Sequence, residues 1–559
     1  MRYKFRGLLL MITAVVLVAR MALPVFAQEP TGSIRGTVKD EQGAVIQNAS
    51  ITVTRKATGD TRKANAGSDG IYLVTTLLPG EYEVKVEAQG FAAYIISVTV
   101  VTGSTTSADA SLRVGAANEI VDVVAEAPII DKQNFKIDGV ITRQKIDALP
   151  LNGRNFLQLA LLEPGVSVSV SNLGNANNLF NVSIGGGDSS LTRITVDGGS
   201  VLDPVTGGAA QNFSTESIQE FQISTFSFDL STGTTSVGAV NIVSRTGTND
   251  FHGNGFVFYR DDQLAAVPTF FRNPFDPAPE FRRAQYGGSL GGPIKKDRAF
   301  FFGNVEFLDQ DAAISVVNTG APILSQFNTT FNSPYSGYLF NVRGDVKLND
   351  KNNLFARFSR DKNDAFAPNG TNRMPSNWRD NRNRDNNIQG GVTTIFTQNI
   401  VNDARFNYQR IDNTSDPPDE GDCPSSNPAC IGARGVQVLI VNSNFTIGNE
   451  TSAPQNRILD RYQTTDNVNW QKGSHRVRFG GEWEHNYGKG SWDFFNPAIM
   501  VLHDPRDVLA VNGAVNAFLP APLRPIFTIP LPAQFIAGSG TLTLSDILQL
   551  PIAAECRSA

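Results

Sequence analysis

The chain has 559 residues, room for several domains, and 18% of them are charged. It holds 50 Gly and 36 Phe but only 3 Cys and 4 His, a balance that suits an extended β protein and argues against a metalloenzyme. The formal net charge is −5; residues 1–27 carry four basic side chains and no acidic one, so the remainder stands at −5 − 4 = −9, which argues against nucleic acid as a partner.

Residues 1–27 read as a secretory signal peptide. Arg2, Lys4 and Arg6 form a positive start, Leu8 to Ala19 an apolar core, and Val25-Phe26-Ala27 ends on the small residue that a signal peptidase requires. An uncleaved anchor helix is the alternative. No later stretch offers about 20 uninterrupted apolar residues, so an integral membrane part has to be a barrel.

Residues 30–113 alternate in short runs, 33–38, 50–54, 71–74, 81–88 and 95–101. Asp40-Glu41-Gln42-Gly43, Ser68-Asp69-Gly70, Leu78-Pro79-Gly80 and Gln89-Gly90 separate them. This predicts a β-sandwich. GSIRGTVKDEQGAVIQNASITV followed by SDGIYLVTTLLPGEYEVKVEAQGF resembles the carboxypeptidase-regulatory-like domain, a carbohydrate-binding-like fold, over the whole segment. The resemblance implies a periplasmic sandwich without peptidase activity. It leaves a mechanical spacer and a sugar-binding module as readings, and the absence of clustered aromatics favours the spacer.

Residues 116–131 contain Glu119, Ile120, Val121, Asp122, Val123 and Val124, a β-prone run ahead of Pro128. Such a strand can add to the edge of another protein's sheet, or it can pair as an ordinary linker with the next domain.

Residues 135–248 carry the most specific motifs. Leu149-Pro150-Leu151-Asn152-Gly153-Arg154-Asn155-Phe156 comes first. Ile184-Gly185-Gly186-Gly187 then leads to Arg193-Ile194-Thr195-Val196-Asp197-Gly198, and Ser217 to Ile223 and a glycine-containing run at 233–244 follow. In this order they resemble the plug domain of the Oar-like TonB-dependent outer-membrane receptors. The resemblance implies an α+β plug filling a wide barrel. It also implies that residues 119–124 are a TonB box, the strand taken by a TonB-type energy-coupling protein in the periplasm.

From 250 to 490 the sequence alternates as a membrane wall does. On 338–348, Tyr338, Phe340, Val342, Gly344, Val346 and Leu348 share one face while Leu339, Asn341, Arg343, Asp345 and Lys347 share the other. On 475–485, Val477, Phe479 and Trp483 oppose Arg476, Arg478, Glu482 and Glu484. Runs at 250–260, 282–291, 299–309, 353–361, 387–397, 403–411 and 459–471 bring the predicted strands to nine. Short connections at 292–298, 349–353, 398–402 and 472–474 alternate with long ones at 263–281, 310–334, 363–385 and 413–456. Short turns face the periplasm and long loops the exterior. Nine is odd where barrels close on even numbers and plugged transporters use about 22. Residues 491–559 read as loop-like or non-native, so the chain is expected to be an N-terminal part of a longer receptor.

The predicted fold class is therefore mainly β: an N-terminal β-sandwich, an α+β plug and part of a transmembrane antiparallel β-barrel. Chemistry of turnover is not legible. Gly287 and Gly292 have the outer spacing of a phosphate loop, but Pro293 stands where its Lys would be. His252, His475, His485 and His503 are too dispersed for a metal clip. Cys423 and Cys430 suit a local loop disulfide better than metal, and Cys556 is left over. The expectation is no enzyme activity, no cofactor and no metal. The receptor reading implies an outer-membrane location, contact with lipid, and import of a small or oligomeric ligand. A surface adhesion protein and a periplasmic fragment are the alternatives.

Overall fold

Alternation of apolar and polar side chains builds all three parts of the molecule. The computed structural model describes residues 30–115, 120–123, 137–170 (save 150, 152 and 153), 180–264 (save 227–232 and 234), 280–316, 329–370, 373–492 (save 425, 431–432, 434–436, 441–444 and 473–474) and 499–502.

The sandwich comprises β1 (Gly32–Asp40), β2 (Ser50–Arg55), β3 (Thr61–Asn65), β4 (Ile71–Leu77), β5 (Gly80–Glu87), β6 (Ala93–Val100), β7 (Thr105–Ser107) and β8 (Ala110–Leu112). One sheet runs β4-β1-β7 with β8 also on β1. The other runs β3-β2-β5-β6 and ends on β9 (Ile120–Val123). Inward residues of both sheets, among them Ile34, Ile51, Val53, Val84 and Val98, are almost fully buried and form one core. The five predicted runs all appear; β3, β7 and β8 are additional. TRKAN of β3 has no apolar alternation to read, yet Arg62 and Ala64 both turn inward.

The plug comprises β10 (Ile137–Thr142), α1 (Arg143–Ala148), β11 (Val166–Val170), β12 (Phe180–Ile184), β13 (Thr192–Val196), β14 (Gly199–Ser200), β15 (Ile218–Phe226) and β16 (Gly238–Ser244). Its sheet has the order β10-β15-β16-β13-β14, with β11 and β12 as a separate hairpin. Phe156, Leu159, Val182, Ile194, Phe221 and Ile242 belong to a dry core of its own.

The wall is one antiparallel sheet of nine strands in chain order. They are β17 (His252–Asp261), β18 (Phe281–Lys295), β19 (Ala299–Val316), β20 (Thr329–Asn349), β21 (Asn352–Pro368), β22 (Trp378–Thr397), β23 (Ile400–Asp416) and, after two short strands, β26 (Gln455–Lys472) and β27 (His475–Trp492). The short strands, β24 (Gln437–Ile440) and β25 (Phe445–Ile447), pair with each other, and β24 pairs with β28 (Ile499–Leu502) at the long-loop end. A strand thus lies within the segment predicted to be loop-like. Phe340, Val342, Leu348, Phe479 and Trp483 are exposed on the outer face, while Asn341 and Arg343 are buried on the inner one. Apolar outside and polar inside is the wall of a filled lumen in lipid. About 10 tilted residues cross a bilayer, so strands of 17 to 21 residues such as β20, β21 and β22 project beyond it. Within the described sheet, β17 and β27 each have a neighbour on one side only.

Candidate functional site: the plug, its clamp and its tether

The β13–β14 hairpin is the tip that the wall grips. Asp197 and Gly198 turn the chain with φ of +49° and +83°, the left-handed region that favours Gly, Asn and Asp over most other residues. Asp197 Oδ1 accepts from the Ser244 amide at 2.9 Å and from Arg343 Nη1 at 3.2 Å. Its Oδ2 accepts from Ser244 Oγ at 2.7 Å and lies 3.1 Å from Arg357 Nε. The backbone carbonyl of Asp197 accepts from Gln389 Nε2 at 2.7 Å and Arg405 Nη1 at 2.6 Å. Burial alone would raise this carboxyl, but Arg343, Arg357 and the Ser244 hydrogen bonds together hold it below the ordinary aspartate range.

Gripping continues on both sides of that turn. Ser200 N donates to Gln463 Oε1 at 2.8 Å, and Arg461 Nη1 donates to the Ser200 carbonyl at 3.2 Å. A Cβ on Gly199 would stand 2.7 Å from the Asn407 side chain, so the hairpin approaches the wall as closely as glycine permits. Arg193 Nη2 reaches both Glu482 oxygens at 3.0 and 2.8 Å. Neighbouring strands β20, β21, β22, β23, β26 and β27 thus each place at least one polar side chain on one hairpin.

A second cluster surrounds Glu216. Arg154, itself at φ +52°, donates from Nη2 to Glu216 Oε1 at 2.6 Å and stacks 4.2 Å from the Phe256 ring centre. Asn254 of β17 donates to Glu216 Oε2 at 2.7 Å, and Arg143 and Arg245 both lie 3.7 Å from it. Asn155 caps the following turn by accepting from the Leu157 amide at 2.9 Å. Gly185 and Gly186, at φ +61° and +76°, form the turn that closes β12. Asn152, Gly153, Glu119 and Val124 lie outside the described residues.

At the short-turn end the sandwich is fastened to plug and wall. The Thr102 amide donates to Glu220 Oε2 at 2.8 Å, and the Asn249 amide donates to the Ala57 carbonyl at 2.9 Å. Asp60 meets Lys347 at 3.6 Å and Asn353 at 3.3 Å, and Asn469 donates to Thr76 Oγ1 at 3.3 Å. A cavity of about 90 Å³ remains between the three parts, lined by Arg55, Asp60, Thr76, Thr246, Lys347 and Arg405. Burial pushes the Glu220 carboxyl up to about 7 against the opposing Thr102 hydrogen bonds and Arg55. β9 leaves this sandwich as its last strand, with Ala93, Tyr94, Ile95 and Ile96 of β6 in parallel register with Ile120, Val121, Asp122 and Val123. The partner of this run is therefore the preceding domain, where a linker reading pairs it with the following one.

The long-loop end carries a packed cap. Trp378 is fully buried, with Phe366 at 5.1 Å and Phe331 at 6.3 Å between ring centres. The Cys423–Cys430 disulfide joins this cluster. Arg379 Nε donates to Glu450 Oε2 at 2.9 Å. Among the described residues no group of His, Cys, Asp and Glu has metal-binding geometry.

Glu216, Arg357, Arg405 and Arg461 are not singled out by the sequence. For the three arginines the readable signal is a place on the inward face of an alternating run, whereas Glu216 sits in a short turn at 215–217 with no such signal; the partners, 261 positions away in the case of Arg461 and Ser200, are not readable.

Residues 243–336 and 316–498 match the outer membrane beta barrel domain, and residues 33–113 match the carboxypeptidase regulatory-like domain. Among solved structures, the outer membrane transporter YddB of Escherichia coli superposes with a TM-score of 0.47 at 12% identity, over 63% of this chain and 48% of that one. The ferric enterobactin receptor PfeA of Pseudomonas aeruginosa does so with a TM-score of 0.44 at 13% identity, over 65% and 51%. The chain is 28% identical over 304 residues to the TonB-dependent transporter Oar of Myxococcus xanthus, across 52% of this chain and 28% of that protein. It therefore spans less than a third of the length of that relative. With the two family matches in the same order as the domains described above, the chain is an outer-membrane protein similar to the Oar-like TonB-dependent receptors.

Proposed function

We propose that this chain provides the plug, the coupling strand and one side of the wall of a TonB-dependent importer, and performs transport rather than turnover. Ligand is met at the capped long-loop end. Force applied at residues 120–124 from the periplasmic end loosens the plug and opens a path along the wall.

The observation that carries this reading is the contrast between the plug's two kinds of contact. Its own core is apolar, whereas its grip on the wall is made chiefly of ion pairs and hydrogen bonds from six strands, with one small apolar contact of Ala210 against Ile411 and Leu459. Desolvated ion pairs give little net stability over their hydrated forms. Water entering the lumen can therefore replace the clamp bond by bond while the plug stays folded. A hydrophobic plug–wall interface would resist the same pull.

Strand addition to a partner needs the main-chain N–H groups of the coupling strand. Val123→Pro removes one of them. In detergent extracts of outer membranes, the wild-type chain is expected to retain the purified periplasmic domain of a TonB-type protein, and the Val123→Pro chain to lose it. Equal retention by both would sink the assignment of 120–124.

A further inference from the structure

The β6 edge of the sandwich already holds the strand that the proposed partner needs. We propose that this edge is the resting clasp of the coupling strand, and that a periplasmic partner strand must take residues 120–123 from it before any load reaches the plug. The inference rests on the reading of 120–124 as the coupling strand.

Three observations lead to it. The inner edge of β6 is fully used by β5, from Gly80↔Val100 to Val86↔Tyr94, so on β6 only the side that β9 occupies is left; β9 ends the described sheet, and its seat competes with a partner for the β6-facing edge of 120–123. The chain just before β9 is pinned to the start of β6: Phe91 bridges Val114, the Ala92 amide donates to the Arg113 carbonyl at 2.9 Å, and the Gly115 amide donates to the Gly90 carbonyl at 3.3 Å. Only residues 116–119 separate that anchor from β9, so the clasp competes with any free partner at the high effective concentration of a short tether. The clasp itself is four register pairs long, which makes it reversible.

Mechanics supply the functional consequence. The sandwich precedes β9 and is fastened to the wall through Asp60, Thr76 and Ala57; the plug follows β9, beginning at β10. While β9 is seated, a pull on it is borne by the sandwich and its wall contacts. Once β9 is unseated, the pull is shared by its two covalent tethers, residues 116–119 to the sandwich and residues 124–136 to β10, and so reaches the plug sheet, in which β10 pairs with β15.

The test locks the seat. Ile95→Cys and Asp122→Cys place thiols on register partners, whose Cα atoms in adjacent strands lie about 5 Å apart, within disulfide reach. Thr99→Cys with Asp122→Cys is the out-of-register control, displaced by about 13 Å along β6. Ala93→Cys with Ile120→Cys is a second in-register pair should the first fail to fold. All are made in the full chain with Cys556→Ser and oxidised in outer membranes. In-register cross-linking several-fold above the control is expected. Retention of the purified periplasmic domain of a TonB-type protein should fall at least tenfold in the locked chain and return on reduction, with reduced wild type as reference. Cross-linking no better than the control in both in-register pairs overturns the clasp. Equal retention by locked and reduced chains overturns the competition. In-register cross-linking without retention in any state, wild type included, overturns the coupling-strand reading while the seat stands.

Discussion

Asp197 shows how a single carboxylate can join a plug to its wall. It serves Arg343 and Arg357, both almost fully buried, from a backbone turn that leaves its carbonyl free for Gln389 and Arg405. Asp197→Asn keeps the shape but leaves two buried guanidinium groups short of their counter-charge, with Asp345 still beside Arg343. Removing one partner of a buried pair costs about 3–5 kcal/mol, and the remaining Asp345 contact puts the expectation near the low end. Urea-dependent tryptic cleavage of the plug is expected to shift to lower urea; an unchanged midpoint would remove Asp197 from the clamp. Glu220 acts at the other end and in the opposite electrostatic sense. Its folded value of about 7 lies above the ordinary 4.5, so the folded state binds the proton more tightly than the unfolded one. Its contribution is fully present below about pH 4.5 and is lost as pH rises through 7, on the order of 3 kcal/mol across that window. The chain should therefore melt at a higher temperature near pH 5 than near pH 8, and Glu220→Gln should reduce that difference. The same pH slope in the variant would show that another group is responsible.

Elements differ in how plainly the residues announce them, and the reason is the solvent on each face. All nine wall strands were readable where one face meets lipid and the other the lumen, as on 338–348 and 475–485. β22 was read only from 387, although it begins at Trp378, because WRDNRNRDN outside the bilayer has polar residues on both faces and nothing alternates. Pairing partners across long separations were not readable at all. β13 lies parallel to β16, 46 residues onward, and β9 lies parallel to β6 rather than beside the next domain. Parallel neighbours leave no turn between them to mark the pair, whereas the antiparallel wall declares each pairing by its connection. The candidate site was legible to the same degree. Arg193, Asp197 and Gly198 stood out through the resemblance, but what each one grips depends on the curvature of the sheet that encloses them.

At the scale of the whole molecule, the two edges of the described wall, which have no neighbour among the described residues, carry the sharpest consequence. A strand edge facing lipid exposes N–H and C=O groups that no water can satisfy, each at a cost of several kcal/mol. β17 and β27 have such edges in the described sheet, at opposite ends of its nine strands. A barrel wide enough to enclose a plug closes only with many more strands. Closed barrels resist detergent and migrate compactly on gels until boiled, because every backbone group has an in-sheet partner and no edge offers a place to begin unzipping. The chain expressed alone is therefore expected to show the same mobility boiled and unboiled, since its edges would let detergent peel the sheet from both sides. Supplying strands that pair with β17 and β27 should restore the shift. A clear shift from the chain alone would mean that the two edges find partners within one copy or between copies, and the proposed path along the wall would then be framed by that pairing.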